Sequence, residues 1–345
     1  MAYTTIKKPS DYFNTKLYTG NGSTQSITGV NFQPDLVWNK QRNGTNSHYL
    51  FNAITGTGKF LKSNSTDAEG TNTDTVTSFD SDGFSLGSAA GNNGSGNTMV
   101  SWNWLASNTT ASNTDGSITS TVSANTTSGF SIVKYTGNGT SPSTVGHGLG
   151  TTPSMIIVKN LTSSSNWSVY SSIIGNGNKL LLNDNSAPIT SGNWSNTSPT
   201  SLVFTVNGAS NEVGASGNNY IAYCFADVKG FSKFGSYVGN GSADGTFVYT
   251  GFKPAFVIVK KYSSTSGWYI NDTARDFNGT YGNDASLFAN TNGAEFTSSS
   301  LNVDMLSNGF KLRSNNSEVN GNTYTFIYMA FAEEPLVGDN PATAR

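Results

Sequence analysis

Charge is scarce in this sequence. Of 345 residues, 19 are Lys or Arg and 21 are Asp or Glu, so charged side chains make up 12%, about half of the roughly 25% usual in soluble domains. A net charge of −2 supplies no basic surface for a nucleic-acid backbone, so no nucleic-acid partner is expected. The single Cys224 excludes an intrachain disulfide; packing, strand ladders or a partner chain must stabilise the fold instead. Long apolar runs are missing as well. The longest, Tyr220–Ala226 and Phe326–Ala332, have seven residues against about 20 for a spanning helix, which excludes helical membrane insertion. The opening MAYTTIKKPS has no apolar stretch of the secretory kind, so no signal peptide is read and the many Asn-x-Ser/Thr matches carry no glycosylation reading. Glu, Lys and Gln, the good helix formers, are few, whereas Gly, Asn, Ser and Thr compete with the helical backbone.

What fills the chain instead is Ser, Thr and Asn, together more than a third of it, with 38 Gly. Polarity of that order suits disorder. Against it stand 20 Phe, 15 Tyr and 6 Trp at near-zero net charge, since disordered chains lack aromatics and carry excess charge. The aromatics recur in a pattern, and internal repetition decides the architecture. Tyr-x-Gly-Asn-Gly occurs at Tyr18–Gly22, Tyr135–Gly139 and Tyr237–Gly241. A Pro-led strand ending in Lys follows each time: Pro34–Lys40, Pro153–Lys159 and Pro254–Lys260. Eight residues beyond the Lys stands His48, Trp167 or Trp268, and each unit closes on an aromatic run, Met99–Trp104, Tyr220–Phe225 or Phe326–Phe331.

The expected fold is all-β, with three tandem β-sandwich units (jelly-roll or lectin-like) of about 100 residues each, a normal sandwich size. The boundaries read as an N-terminal arm 1–11, repeat one 12–106, a Ser/Thr/Asn linker 107–128, repeat two 129–228, repeat three 229–334 and a tail 335–345. The runs Met-Ile-Ile-Val and Phe-Val-Ile-Val do not alternate, so their strands are expected to be covered on both faces or to cross from core to interface.

Motifs that suggest chemistry have simpler explanations. Gly83-Phe84-Ser85-Leu86-Gly87 matches a nucleophile elbow, but that elbow needs a strand, a sharp turn and a helix. Here the residues alternate like a strand leaving the turn Asp80-Ser81-Asp82-Gly83, and repeat three carries Gly309-Phe310-Lys311-Leu312 with Lys in place of Ser85. The same turn forms there without the carboxylate pair, so a hairpin with Gly83 and Gly309 at positive φ is favoured over a calcium loop. His147 lies in a Gly-rich bend with no second His nearby, and no zinc site is read there. No helix follows the Gly-Asn-Gly elements to hold a phosphate, so they read as turns. Trp38, Trp102 and Trp104 align with apolar residues of the other repeats and read as core. Trp194 lies in an unmatched insertion, 191–201, and is the one candidate for a surface contact, to another chain or domain before a glycan. No catalytic residue, metal ligand or cofactor is read from the chain.

The opening Met1–Ile6 with Tyr12-Phe13, the stretches Thr77–Phe84, Val145–Gly150 and Thr152–Lys159, and Tyr220–Ala226 followed by Gly230–Tyr237 are similar to a family of poorly characterised tailed-bacteriophage proteins of marine and cyanophage type. The resemblance covers nearly the whole chain. It implies a non-enzymatic virion structural protein on the particle surface, a tail fibre or adhesin that contacts other virion proteins and a host glycan or receptor. A capsid-decorating or head-fibre protein is the alternative, followed by a lectin or polysaccharide depolymerase. The family carries no catalytic or binding residues over to this chain. Strand edges and aromatic faces favour symmetric self-association, with a homotrimer as the first expectation, and the arm 1–11 is a candidate anchor to another virion protein.

Overall fold

The computed structural model describes residues 4–275, 284–298, 301–339 and 341–343. The fold is predominantly β, built of antiparallel sheets; the described helical segments are the 3-10 turn Pro9–Asp11 and the four-residue Ala90–Asn93.

Each repeat makes one main sheet in the same order: opening strand, closing strand, Pro-led strand, next strand. In repeat one these are Phe13–Thr19, Thr98–Trp104, Leu36–Gln41 and Tyr49–Asn52. In repeat two they are Phe130–Thr136, Asn219–Phe225, Met155–Asn160 and Ser168–Ser171, and in repeat three Ser232–Val238, Thr325–Pro335, Phe252–Lys261 and Trp268–Asp272. The register repeats as well. Trp38 faces Trp102, Ile157 faces Tyr223 and Ile258 faces Met329, each directly across the ladder. A slip of one residue in any of them would turn its apolar set to the wrong face. A smaller sheet lies beside each main one: Gln25–Thr28 with Gly83–Leu86 and Val76–Asp80, Ser143–Gly146 with Val203–Val206, and Phe247–Tyr249 with Gly309–Leu312 and Val303–Leu306.

The continuous apolar runs now have a cause. In the strand Met155–Asn160, Ile156 and Val158 point into a core private to repeat two, while Met155 and Ile157 join a core shared by all three repeats. Repeat one divides in the same way, with Val37 in its private core and Leu36 and Trp38 in the shared one. At the centre of the shared core Phe331 of repeat three lies 5.1 Å from Phe13 and 5.7 Å from Trp104 of repeat one, and 5.9 Å from Phe225 of repeat two, between ring centroids.

The Tyr-x-Gly-Asn-Gly element fastens the opening strand to the loop ahead of the closing strand. The hydroxyls of Tyr18, Tyr135 and Tyr237 donate to the carbonyls of Asn92, Val213 and Val319 at 2.7, 2.7 and 2.6 Å. The last glycine sits at φ +70°, +73° and +65°, and a Cβ on the first would lie 2.2–2.3 Å from a backbone carbonyl of that loop. Both positions therefore need glycine.

Three expectations are corrected. The 107–128 segment is no loose linker: Ala111–Asn113 and Ser120–Asn125 add two strands to the main sheet of repeat two. Asp35 ties its start down, accepting the backbone N–H of Ala106 at 2.7 Å and of Asn108 at 3.1 Å. The arm is docked, with Ile6 in the shared core and the Lys7 carbonyl accepting from the Asp339 N–H at 3.3 Å. Gly309 does not adopt positive φ as Gly83 does; both are glycines because a Cβ would meet the Val248 or the Ile27 carbonyl oxygen at 2.1 or 1.9 Å.

A core shared by three repeats predicts one cooperative transition. Phe331→Ala should cost about 3–5 kcal/mol, and denaturant unfolding followed by tryptophan fluorescence and circular dichroism should give coincident curves. Separate transitions for the repeats would contradict a common core.

Candidate functional site

The Pro-led strand ends in Lys40, Lys159 or Lys260, and all three side chains are fully buried. An ammonium has three donors and no acceptor, and each of these reaches loop carbonyls where the repeats meet. Lys159 donates to Ser165 O at 2.8 Å and, across to repeat one, to Thr66 O at 3.0 Å. Lys260 donates to Ser266 O and, across to repeat two, to Asn185 O at 2.9 Å. Lys40 donates to Gln41 O and Gly44 O at 2.6 and 3.0 Å. Burial pushes each of the three down to about 8.

The aromatic eight residues on completes each seam. Trp167 Nε1–H donates to Lys62 O of repeat one at 2.9 Å, and Trp268 Nε1–H to Leu181 O of repeat two at 2.8 Å. His48 holds that place in repeat one. Its Nδ1 accepts from Trp38 Nε1–H at 2.9 Å. Burial holds it neutral, well below the ordinary imidazole range, and the Lys40 charge adds to the effect. The backbone N–H groups of His48, Trp167 and Trp268 donate to Asn64, Asn183 and Asn290.

Repeat one closes on repeat three with its own chemistry. Arg42 grips Glu295 bidentately at 2.8 and 2.7 Å, Arg275 reaches Glu295 at 3.2 Å and Asp272 at 2.6 Å, and Trp102 Nε1–H donates to the same Asp272 carboxylate at 2.9 Å. The Arg42 carbonyl accepts the Glu295 N–H, as the Leu161 carbonyl accepts the Glu69 N–H on the seam of repeats one and two. The three seams therefore run two on one, three on two and one on three, a closed ring.

One seam opens into a cleft. Asn185 of repeat two and Thr265, Ser266, Tyr269, Phe288, Asn290, Phe296 and Glu318 of repeat three surround a volume of about 600 Å³. Tyr269 and Phe288 lie 4.5 Å apart and Phe288 and Phe296 5.2 Å apart between centroids, forming a short aromatic ladder. Glu318 accepts from Ser266 Oγ at 2.7 Å, Lys261 Nζ at 3.0 Å and Tyr269 Oη at 3.4 Å. Burial pushes its carboxyl up, but those donors and the Lys261 charge outweigh it and hold it below its usual range. Glu318 is thus a fixed acceptor, and it is the one carboxylate among the described residues lining the cleft.

Glu212 occupies the same place in repeat two, but its carboxylate is tied up by neighbouring side chains. Ser168, Lys179, Asn193 and Asn166 all donate to its carboxylate. Repeat one has Gly91 at this place, where a Cβ would lie 2.9 Å from the Tyr49 hydroxyl.

The residues singled out from sequence lie apart from the cleft. Trp194 is corrected from a surface candidate to a core residue. It is 1% exposed, its Nε1–H donates to Asn178 O at 3.1 Å, and its ring meets Tyr170 edge-on at 5.8 Å, so it presents no stacking face. Ser85 stands in the hairpin expected for it, bonded to Asp80 at 2.7 Å. The Asp82 carboxylate accepts the backbone N–H of Gly29 and of Asn31 at 2.9 and 2.7 Å. His147 is buried, with Nδ1 accepting the Leu149 N–H at 3.2 Å. No group of three His, Cys, Asp or Glu side chains suited to a metal occurs among the described residues.

A sequence family described as a domain of unknown function, DUF7483, matches residues 8–335. The chain belongs to this family. The matched span takes in all three repeats at once, in keeping with their common core. No curated protein and no solved structure is detectably similar to the chain.

The lysines set a pH dependence. Below about pH 8 the folded and unfolded chains both hold these protons. Between about 8 and the ordinary value of 10.5 the unfolded chain retains protons the folded chain has released, so unfolding free energy rises with pH there. Urea unfolding from pH 7.5 to 9.5 should show that rise, and Lys159→Met should remove about a third of the slope whatever it does to the absolute stability. A flat profile in the parent chain would show that the buried amines stay charged.

Proposed function

We propose that the chain is a non-enzymatic structural protein of a tailed-bacteriophage particle, a tail fibre or adhesin-like surface component built of three β-sandwich units. A smaller sheet beside each main one, with a separate core between them in repeats one and two, supports the sandwich reading, and the resemblance to phage proteins supports the setting. The observation that carries the structural role is the closed ring of seams. Each repeat is locked to the other two through buried hydrogen bonds and aromatic packing, a rigid body that needs no disulfide. Low surface charge gives such a body little salt-dependent attraction, which suits a particle exposed to changing media.

The ring also changes the form in which threefold symmetry is proposed. The aromatic faces that would drive trimer formation are covered within one chain, so a single copy presents what three subunits would otherwise supply. Sedimentation velocity at micromolar concentration should give a species of 36.4 kDa; a stable trimer would reveal a further self-complementary surface. The placement itself is tested by immunogold labelling and mass spectrometry of purified particles. Label at the tail supports the adhesin role, label over the shell moves the protein to capsid decoration, and absence from the particle overturns the proposal.

A further inference from the structure

We propose that the cleft between repeats two and three binds a neutral saccharide, with the exposed aromatic surface of Phe288 and Phe296 as its platform and Glu318, Asn290 and Asn185 as its polar contacts.

The volume, about 600 Å³, falls in the range of about 300–1,000 Å³ typical of small-molecule sites. The lining pairs apolar faces with fixed polar groups. Phe288 and Phe296 are half-buried and stacked at 17°, so part of that aromatic surface remains open to the cleft. Glu318 is 34% exposed and ionised, with acceptor capacity beyond its internal donors. Asn290 spends its Oδ1 on the Trp268 N–H at 2.9 Å, and its Nδ2 makes no hydrogen bond within the described protein. Asn185, Thr265 and Thr291 are exposed at the rim.

Charge narrows the ligand class. Glu318 is neutralised by Lys261 at 3.0 Å, so the cleft favours neither an anion nor a simple cation. A neutral ring with an apolar C–H face and edge hydroxyls matches both halves of the lining. Carboxylate and amide groups accept from and donate to vicinal hydroxyls, while aromatic rings cover the C–H face.

The other repeats supply the contrast. The positions of Tyr269, Phe288 and Phe296 are occupied in repeat two by Ser168, Leu181 and Ile189, as the strand registers show, and four donors close Glu212 off. Seam formation requires none of the three aromatics, since the seam of repeats one and two forms without them.

The biological source of the sugar rests on the attachment role above; the cleft itself does not. The test is a titration of the full chain with maltose, lactose and N,N′-diacetylchitobiose, with glucuronic acid as the anionic arm, followed by saturation-transfer NMR and calorimetry. A neutral sugar should saturate with a Kd in the millimolar range or tighter. Phe288→Ala and Glu318→Gln should each weaken it about tenfold or more. Thr291→Trp at the exposed rim should block the cleft without touching the core, and Phe247→Ser, on a distant exposed strand, should change nothing. No saturation by any neutral sugar at about 50 mM, a response to glucuronic acid alone, or binding unmoved by Thr291→Trp would each overturn the proposal. A purified polysaccharide that binds the chain where the free sugars do not would place recognition on a longer surface than this cleft and overturn it too. Sugar binding by a chain absent from the particle would leave the cleft standing and remove the attachment role; a particle protein that binds no sugar would do the reverse.

Discussion

A sheet buried on both faces cannot be completed by the repeat that contains it. That constraint governs this molecule. Each main sheet covers one face with its own smaller sheet and leaves on the other a patch of large side chains: Leu36, Trp38, Trp102 and Trp104 in repeat one, Met155, Ile157, Tyr223 and Phe225 in repeat two. Fully burying one such side chain is worth about 1.5–3 kcal/mol. A lone repeat would expose several at once, more than the net stability of about 5–15 kcal/mol of a typical domain can absorb. Three repeats turned inward on Phe331 and its neighbours remove the exposure together.

Closing three apolar faces against one another brings loop ends inward, and loop ends carry unpaired carbonyls. The buried lysines answer that need. An ammonium serves several carbonyls from one point, and Lys159 and Lys260 each take one from their own repeat and one from its neighbour. The cost is desolvation of a charge, visible in the depressed pKa values. The tryptophan indoles do the same with a neutral donor. On the seam of repeats one and three an Arg–Glu–Arg–Asp chain takes over, which again leaves each buried charge with a partner.

Much of this was legible in the sequence because the repeat supplied its own alignment. Trp38, Ile157 and Ile258 could be placed in a core before any coordinate, and the unalternating runs announced two covered faces. Other features were hidden for definite reasons. Asn64 and Asn183 stand 16 residues beyond the His48 and Trp167 whose N–H groups they accept, but Asn290 stands 22 beyond Trp268; an insertion in repeat three broke the spacing. Glu212 and Glu318 share a place that repeat one fills with Gly91, so the carboxylate is not part of the threefold pattern. Trp194 sits in an insertion without counterpart, and nothing in the chain's pattern could show that the insertion folds back onto Tyr170. The 107–128 segment reads as low complexity, yet its ladder needs few apolar side chains: Ile118 and Val122 enter the core of repeat two and Ser120 and Ser123 hydrogen-bond at its margin.

The differences among the seams are more informative than their likeness. Every group that recurs in three, Tyr18, Tyr135 and Tyr237 or Lys40, Lys159 and Lys260, has a contact that the repeat or its seam requires. Where only one repeat departs, the ring imposes no reason for the departure. Repeat one fills the place of the carboxylate with glycine and a tyrosine hydroxyl, and repeat two seals its carboxylate with lysine and asparagine. Repeat three keeps the carboxylate, ionises it against Lys261 and surrounds it with partly exposed rings. Half-buried aromatic surface beside a fixed carboxylate is what a ligand with an apolar face would cover. The contacts common to all repeats hold the body together, and the departures of repeat three gather at its seam with repeat two, around the cleft lined by Phe288, Phe296 and Glu318.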